Sequence, residues 1–144
     1  LWLTFAVGLG GAPYVPGHLV AFVGFMVGFM TVISLLKDVP DIEGDRVAEI
    51  RTFSVRFGPE RILGVSVALL AVFYCGMIAL GAFGAGGLEP QTTIVVHGAL
   101  LAWLLLAARR VDPALKASLS GFYMMIWNLY YLEFGAYLFS CLRA

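Results

Sequence analysis

The sequence predicts an all-α fold, a polytopic transmembrane helix bundle. Composition is the first reason. The 144 residues are 61% hydrophobic and 12% charged, with a mean hydropathy of +0.93; soluble domains sit nearer half apolar and a quarter charged. The second is length. The apolar residues gather at 18–36, 62–83, 92–108 and 119–142, close to the roughly 17–25 residues that a spanning helix needs. The third is chemistry. Lipid obliges a spanning segment to satisfy its own backbone, which a helix does, and none of the four shows the alternation of a barrel strand.

In chain order, residues 1–10 read as the end of a helix whose beginning is missing. Gly10, Gly11, Pro13, Pro16 and Gly17 then mark a turn before the first full span. Gly58-Pro59-Glu60 opens the second span, with proline near the first helical position and an acid in the first turn. The third is the shortest. Asp112 can cap and Pro113 can open a short helix that leads into the fourth. The chain starts at Leu1, without Met and without a signal-peptide pattern. We therefore expect a single unit over 1–144 that is the C-terminal part of a longer chain: about four full spans plus a remnant. Cys75 and Cys141 fall in apolar segments and read as buried small hydrophobes, not as a disulfide framework.

The formal net charge is +0, so nothing encourages a nucleic-acid partner. Its distribution is informative. Residues 37–61 hold Lys37, Arg46, Arg51, Arg56 and Arg61, and residues 109–118 hold Arg109, Arg110 and Lys116. Segments 10–17 and 84–91 hold no Lys or Arg. Four spans put both basic loops on one side, and the positive-inside rule makes that side cytoplasmic, stromal or matrix.

The run from Lys37 to Arg46 holds four carboxylates directly after the first span. Asp38, Asp41 and Asp45 are spaced three and four apart, a spacing that shares a helix face. Pro40 pushes Val39 away from helical angles, so the expectation is a helix ending near Asp38 or one beginning at Pro40. Either leaves the three acids pointing inward, with Glu43 turned elsewhere. Mg²⁺ relieves such repulsion, typically using one or two carboxylates with phosphate oxygens and waters. Lys37, Arg46, Arg51 and Arg56 can hold a diphosphate, arginine in bidentate fashion. The competing reading is a solvated loop whose arginines, recurring every five residues and so on no helical face, only set orientation.

The string Asp38-x-x-Asp41-x-x-x-Asp45 resembles the second aspartate-rich motif of the UbiA superfamily of intramembrane prenyltransferases. KDVPDIEGDRVAEIRTFSVRFGPERI, residues 37–62, is similar to the plastid and cyanobacterial homogentisate prenyltransferases, which read KD-x-PD-x-EGD and then I-x-(S/T)-x-(S/T)-V-x-x-G. FYMMIWNLYYLEF, residues 122–134, resembles their last helix. Asn128 stands where a basic residue is expected, and Leu132 replaces a small one. The resemblance implies the last four helices of a nine-helix bundle, with a first aspartate-rich motif that is not in this sequence. It implies Mg²⁺ bound by Asp38, Asp41 and Asp45 as the catalytic acids, and Lys37, Arg46, Arg51 and Arg56 on the diphosphate. It further implies a polyprenyl diphosphate donor (phytyl, geranylgeranyl or solanesyl type), an aromatic acceptor of the homogentisate class, and a plastid or cyanobacterial membrane with the acidic loop on the stromal or cytoplasmic side. The product belongs to tocopherol or plastoquinone biosynthesis, and these residues alone are expected to be inactive.

Alternatives are another superfamily acceptor (hydroxybenzoate, naphthoate or chlorophyllide) and, from a different class, a cation-binding transporter or assembly subunit. The latter needs carboxylates well inside the spans, where only Glu133 lies. An intramembrane acid is a functional candidate; its structural reading is a partner for Asn128, Tyr130 or a cation outside this sequence. His97 reads as a satisfied bundle histidine and His18 as interfacial. Trp103, Trp127, Tyr130 and Tyr131 fit a prenyl tunnel or interfacial anchoring equally well. Gly24 and Gly28 permit close helix contact.

Overall fold

The computed structural model describes residues 16–84, 87 and 89–143; the expected helix remnant over 1–10 lies outside the described residues. In chain order the elements are α1 (Gly17–Leu36), a 3₁₀ turn (Val39–Asp41), α2 (Ile42–Val47), α3 (Phe53–Phe57), α4 (Pro59–Ala82), α5 (Pro90–Ala108) and α6 (Lys116–Arg143). No strand occurs among the described residues.

Helices α1, α4 and α5 are long and apolar enough to cross a membrane. Helix α6, with 28 residues, has the length but not the same apolarity, since it carries Asn128, Glu133 and several tyrosines. The four long helices close a ring: α1 packs on α4, α4 on α5, α5 on α6, and α6 returns to α1. Phe29, Val32, Leu70, Leu104, Ile126 and Leu129 fill its centre, fully buried. Lipid tails are as apolar as these side chains, so shape fit and polar contacts between helices hold such a ring, not transfer out of water. A methyl on Gly28 would overlap the Phe73 ring, which marks a close approach of α1 and α4, whereas Gly24 faces open space. Only one of those two glycines makes the contact expected of the pair.

The helices begin one to three residues before the apolar stretches do, because each opens on Gly, Pro or polar residues that extend its first turn. Gly58, at φ +82°, precedes Pro59 and Glu60 in the first turn of α4, as expected. The Glu89 carboxylate accepts from the backbone N–H groups of Gln91 and Thr92 and caps α5. The linker before α6 departs from expectation. Asp112 Oδ1 accepts from Ala114 N at 2.9 Å, and Asp112 N donates to Ser118 Oγ at 2.9 Å. This Asx turn replaces the short helix expected from Pro113. The cysteines also depart: Cys75 and Cys141 are both free and exposed, because their segments are apolar on the outer faces as well.

Candidate active site

At the end of the ring where α1 stops, the backbone breaks twice. Lys37 and Asp38 form a turn, the 3₁₀ turn takes up Pro40, and α2 starts at Ile42. A helix thus ends near Asp38 and helical structure restarts around Pro40, so Asp38 lies in the turn, Asp41 ends the 3₁₀ turn and Asp45 rides on α2. A Schellman motif ends α2: Glu49 N donates to Arg46 O at 3.2 Å and Ile50 N to Asp45 O at 2.8 Å, with Glu49 left-handed at φ +57°. The chain is thus locked at the carbonyl of Asp45.

The three aspartates meet different surroundings. Asp38 is half-buried in the turn. Asp41 is exposed, and its Oδ1 lies 2.7 Å from Lys116 Nζ at the start of α6. Asp45 Oδ2 accepts from Thr52 Oγ1 at 3.2 Å. The same hydroxyl accepts from Val55 N at 3.3 Å and caps α3, so Thr52 both starts a helix and orients an acid. Glu43 pairs with Arg46 at 3.2 Å, on the solvent side. Among the described residues no group of three or more His, Cys, Asp or Glu gathers to hold a metal ion. The donor set still suits a hard divalent cation, which needs only one or two carboxylates where phosphate oxygens and water complete its shell.

The expected diphosphate residues divide. Arg46 and Arg51 line one hollow with Glu49 and Ile50. Arg56, its guanidinium 5.2 Å from the centre of the Phe57 ring, lines another with Arg61 and the 113–114 turn. Lys37 is exposed at the end of α1. Two participants were not singled out in the sequence. Lys116 sits 75 positions from Asp41 and has no local signal. Thr52 had one, a threonine three residues before Val55 at a helix start.

An apolar groove of about 510 Å³ runs along α1 from Phe22 to Ser34, walled by Met26, Met30, Tyr130 and Phe134. Ser34 is one helical turn before Asp38, so the groove approaches the acidic turn. Of the aromatic residues expected in a tunnel, Tyr130 lines this groove. Trp127 stacks on Tyr131, and Trp103 and Tyr131 are exposed.

A second polar group occupies the axis of the ring and takes one side chain from each long helix. Glu133 of α6 is 1% exposed, and its Oε2 lies 3.3 Å from His97 Nε2 of α5. His97 Nδ1 lies 2.7 Å from Thr93 O. Phe25 of α1 stands edge-on to both His97 and Tyr74. Tyr74 of α4 interacts with Glu133, although Tyr74 Oη and Glu133 Oε1 have no partner at bonding distance among the described residues. The partner of Glu133 is therefore His97, not Asn128 or Tyr130. Seventeen residues of α6 separate Glu133 from Lys116, about 25 Å along the helix. The axial group is too far from the acidic turn to share its chemistry.

A ring of four long helices, three of them long and apolar enough to cross a membrane, with an aspartate-rich turn at its basic end and an apolar groove along α1, defines a multi-pass membrane protein with an acidic site at one end. Residues 1–129 match the model of the UbiA prenyltransferase family, and the chain belongs to that family. UbiA prenyltransferases are generally dependent on a divalent metal. The chain is 43% identical over 110 residues to the probable homogentisate phytyltransferase 1, chloroplastic, of Oryza sativa subsp. japonica, covering 76% of this chain and 27% of that protein. Identity is 34% over 137 residues with the homogentisate phytyltransferase of Synechocystis sp., covering 95% and 44%. It is 35% over 106 residues with naringenin 8-dimethylallyltransferase 2, chloroplastic, of Sophora flavescens, covering 74% and 26%. The chain thus spans between about a quarter and under half of the length of these relatives. No solved structure matches it.

Proposed function

We propose that this chain is the C-terminal part of an enzyme that transfers a polyprenyl group from its diphosphate to an aromatic acceptor of the homogentisate class. What supports the reading is an acidic turn at the end of α1 and an apolar groove whose lining ends at Ser34, one helical turn before Asp38, in a chain 43% and 34% identical to homogentisate phytyltransferases. The groove takes the apolar tail, and the turn takes the diphosphate.

Asp38, Asp41 and Asp45 are the residues that would hold the divalent cation, Mg²⁺ by its preference for carboxylate and phosphate oxygens. That ion supplies Lewis-acid stabilisation of the leaving diphosphate. Lys37, Arg46, Arg51 and Arg56, spread over the end of α1 and two hollows beside it, add positive charge where the leaving group gathers negative charge. The allylic C–O bond breaks and its electron pair stays on the diphosphate oxygen. Apolar groove walls keep water from the cation. The electron-rich ring closes the new C–C bond, and loss of the proton at that ring carbon restores aromaticity; for homogentisate the carboxylate leaves as CO₂ and the CH₂ carbon it leaves behind takes up a proton to become a methyl group. The basic loops around the site favour its lying on the stromal or cytoplasmic side.

Transport is the weaker reading. A transporter needs free carboxylates within the spans, and Glu133 is committed to His97. The likeness to a naringenin dimethylallyltransferase favours testing other phenolic acceptors beside homogentisate. In the full-length protein, Asp41→Ala and Asp45→Ala are each expected to lower Mg²⁺-dependent prenyl transfer by about a hundredfold or more. Assays should run homogentisate beside hydroxybenzoate, naphthoate, chlorophyllide and naringenin. Wild-type turnover in both variants would sink the site assignment.

A further inference from the structure

Lys116 is the first residue of α6, and the fold carries it to the acidic turn from 75 positions away. The 3₁₀ turn packs on α6, so the approach is built into the bundle and does not depend on loop position alone. Its ammonium stands 2.7 Å from Asp41 Oδ1, with both side chains 70% exposed. The neighbouring arginines do not take this role: Arg46 is paired with Glu43, and Arg56 lies over Phe57.

An exposed pair of this kind is weakly held, so the ammonium exchanges readily. It also stands where it opposes a second cation. A divalent ion on Asp41 Oδ1 would sit about 2.1 Å from that oxygen, close to an ammonium bound to the same atom. Two cations on one oxygen repel unless an anion joins them, and a diphosphate is such an anion. The positive end of the α6 dipole, at Lys116, favours the same arrangement.

Resting on the prenyl-diphosphate reading above, we propose that Lys116 is a phosphate-binding lysine that occupies Asp41 until the donor arrives. With a divalent ion held by Asp41, the Lys116 ammonium would be released to bind an oxygen of the diphosphate. Lys116 therefore opposes the metal when the donor is absent and supports diphosphate binding when the metal is present.

The two roles have opposite signs, which a merely structural surface pair would not produce. In the full-length protein, Lys116→Met is expected to tighten Mn²⁺ binding about two- to fivefold without diphosphate, followed by electron paramagnetic resonance. With Mn²⁺ saturating, the same variant should bind inorganic diphosphate about tenfold more weakly by calorimetry. Donor KM should rise more than kcat falls. Lys116→Arg, which keeps the charge, should restore most of both effects. Unchanged or weaker Mn²⁺ binding, or unchanged diphosphate binding, in Lys116→Met overturns the role given to Lys116. Wild-type protein that binds Mn²⁺ but not diphosphate overturns instead the prenyl-diphosphate reading beneath it.

Discussion

Replacing His97 by leucine strands a carboxyl group in the middle of the bundle. The Thr93 carbonyl can only accept, so His97 Nδ1 carries a hydrogen. The contact between Nε2 and Glu133 Oε2 then holds a single proton: a neutral imidazole with a carboxylic acid, or an imidazolium with a carboxylate. Both are neutral as a pair. Without the imidazole, neither oxygen of Glu133 has a partner at bonding distance among the described residues, at 1% exposure. Removing one member of a buried pair costs about 3–5 kcal/mol in soluble proteins. Hydrogen bonds between helices in a membrane average about 0.6 kcal/mol, with a maximum near 1.7, because the unfolded chain also finds partners there. Between these two limits we expect about 2 kcal/mol, roughly a thirtyfold loss in the folding equilibrium. Glu133→Leu should cost about 1 kcal/mol, the loss of one neutral hydrogen bond. The double variant should fall short of the sum by about 1 kcal/mol or more. Unfolding of the purified full-length protein in mixed SDS micelles, followed by tryptophan fluorescence, measures all three. Single variants within about 0.5 kcal/mol of wild type, or strict additivity, would refute the pairing. A hundredfold fall in kcat for correctly folded His97→Leu would refute the separation of this group from the chemistry.

Thr52→Val removes the donor to Asp45 and the cap of α3 together. Stability should drop by about 1 kcal/mol and prenyl transfer about tenfold, both largely rescued by serine; wild-type rates in Thr52→Val would show that Asp45 needs no orientation. Glu49→Gly relaxes the left-handed residue of the Schellman motif and should stabilise the loop by about 0.5–1 kcal/mol, seen as slower limited proteolysis between α2 and α3. Faster cleavage would contradict that backbone geometry.

Much of the frame is legible in the residues alone. Spans follow from apolar length, and the start of α4 follows from Gly58-Pro59-Glu60, because both depend on local chemistry. The acidic motif is legible for the same reason, since its spacing lies within eight residues. What stays hidden is tertiary. By sequence the partners offered for Glu133 are Asn128, Tyr130 or a cation outside this sequence, whereas the actual partner is His97 on α5. Lys116 read as one more orientation charge because nothing near it in sequence indicates Asp41. The exposed cysteines make the same point: hydropathy reports that a segment is apolar, not which face turns inward.

The axial group also bears on how the protein enters its membrane. Helix α6 has the length of a span but carries Glu133 and Asn128, and an acid at the centre of an inserting helix resists insertion by about 2.5–3.5 kcal/mol. His97, on the preceding helix, is the group that neutralises the acid, and the linker between them is only residues 109–115. The two helices are thus suited to leave the insertion machinery as a hairpin, with the proton shared before either meets α1 or α4. Disruption of His97 would then appear first during biogenesis, as chains whose last helix fails to integrate.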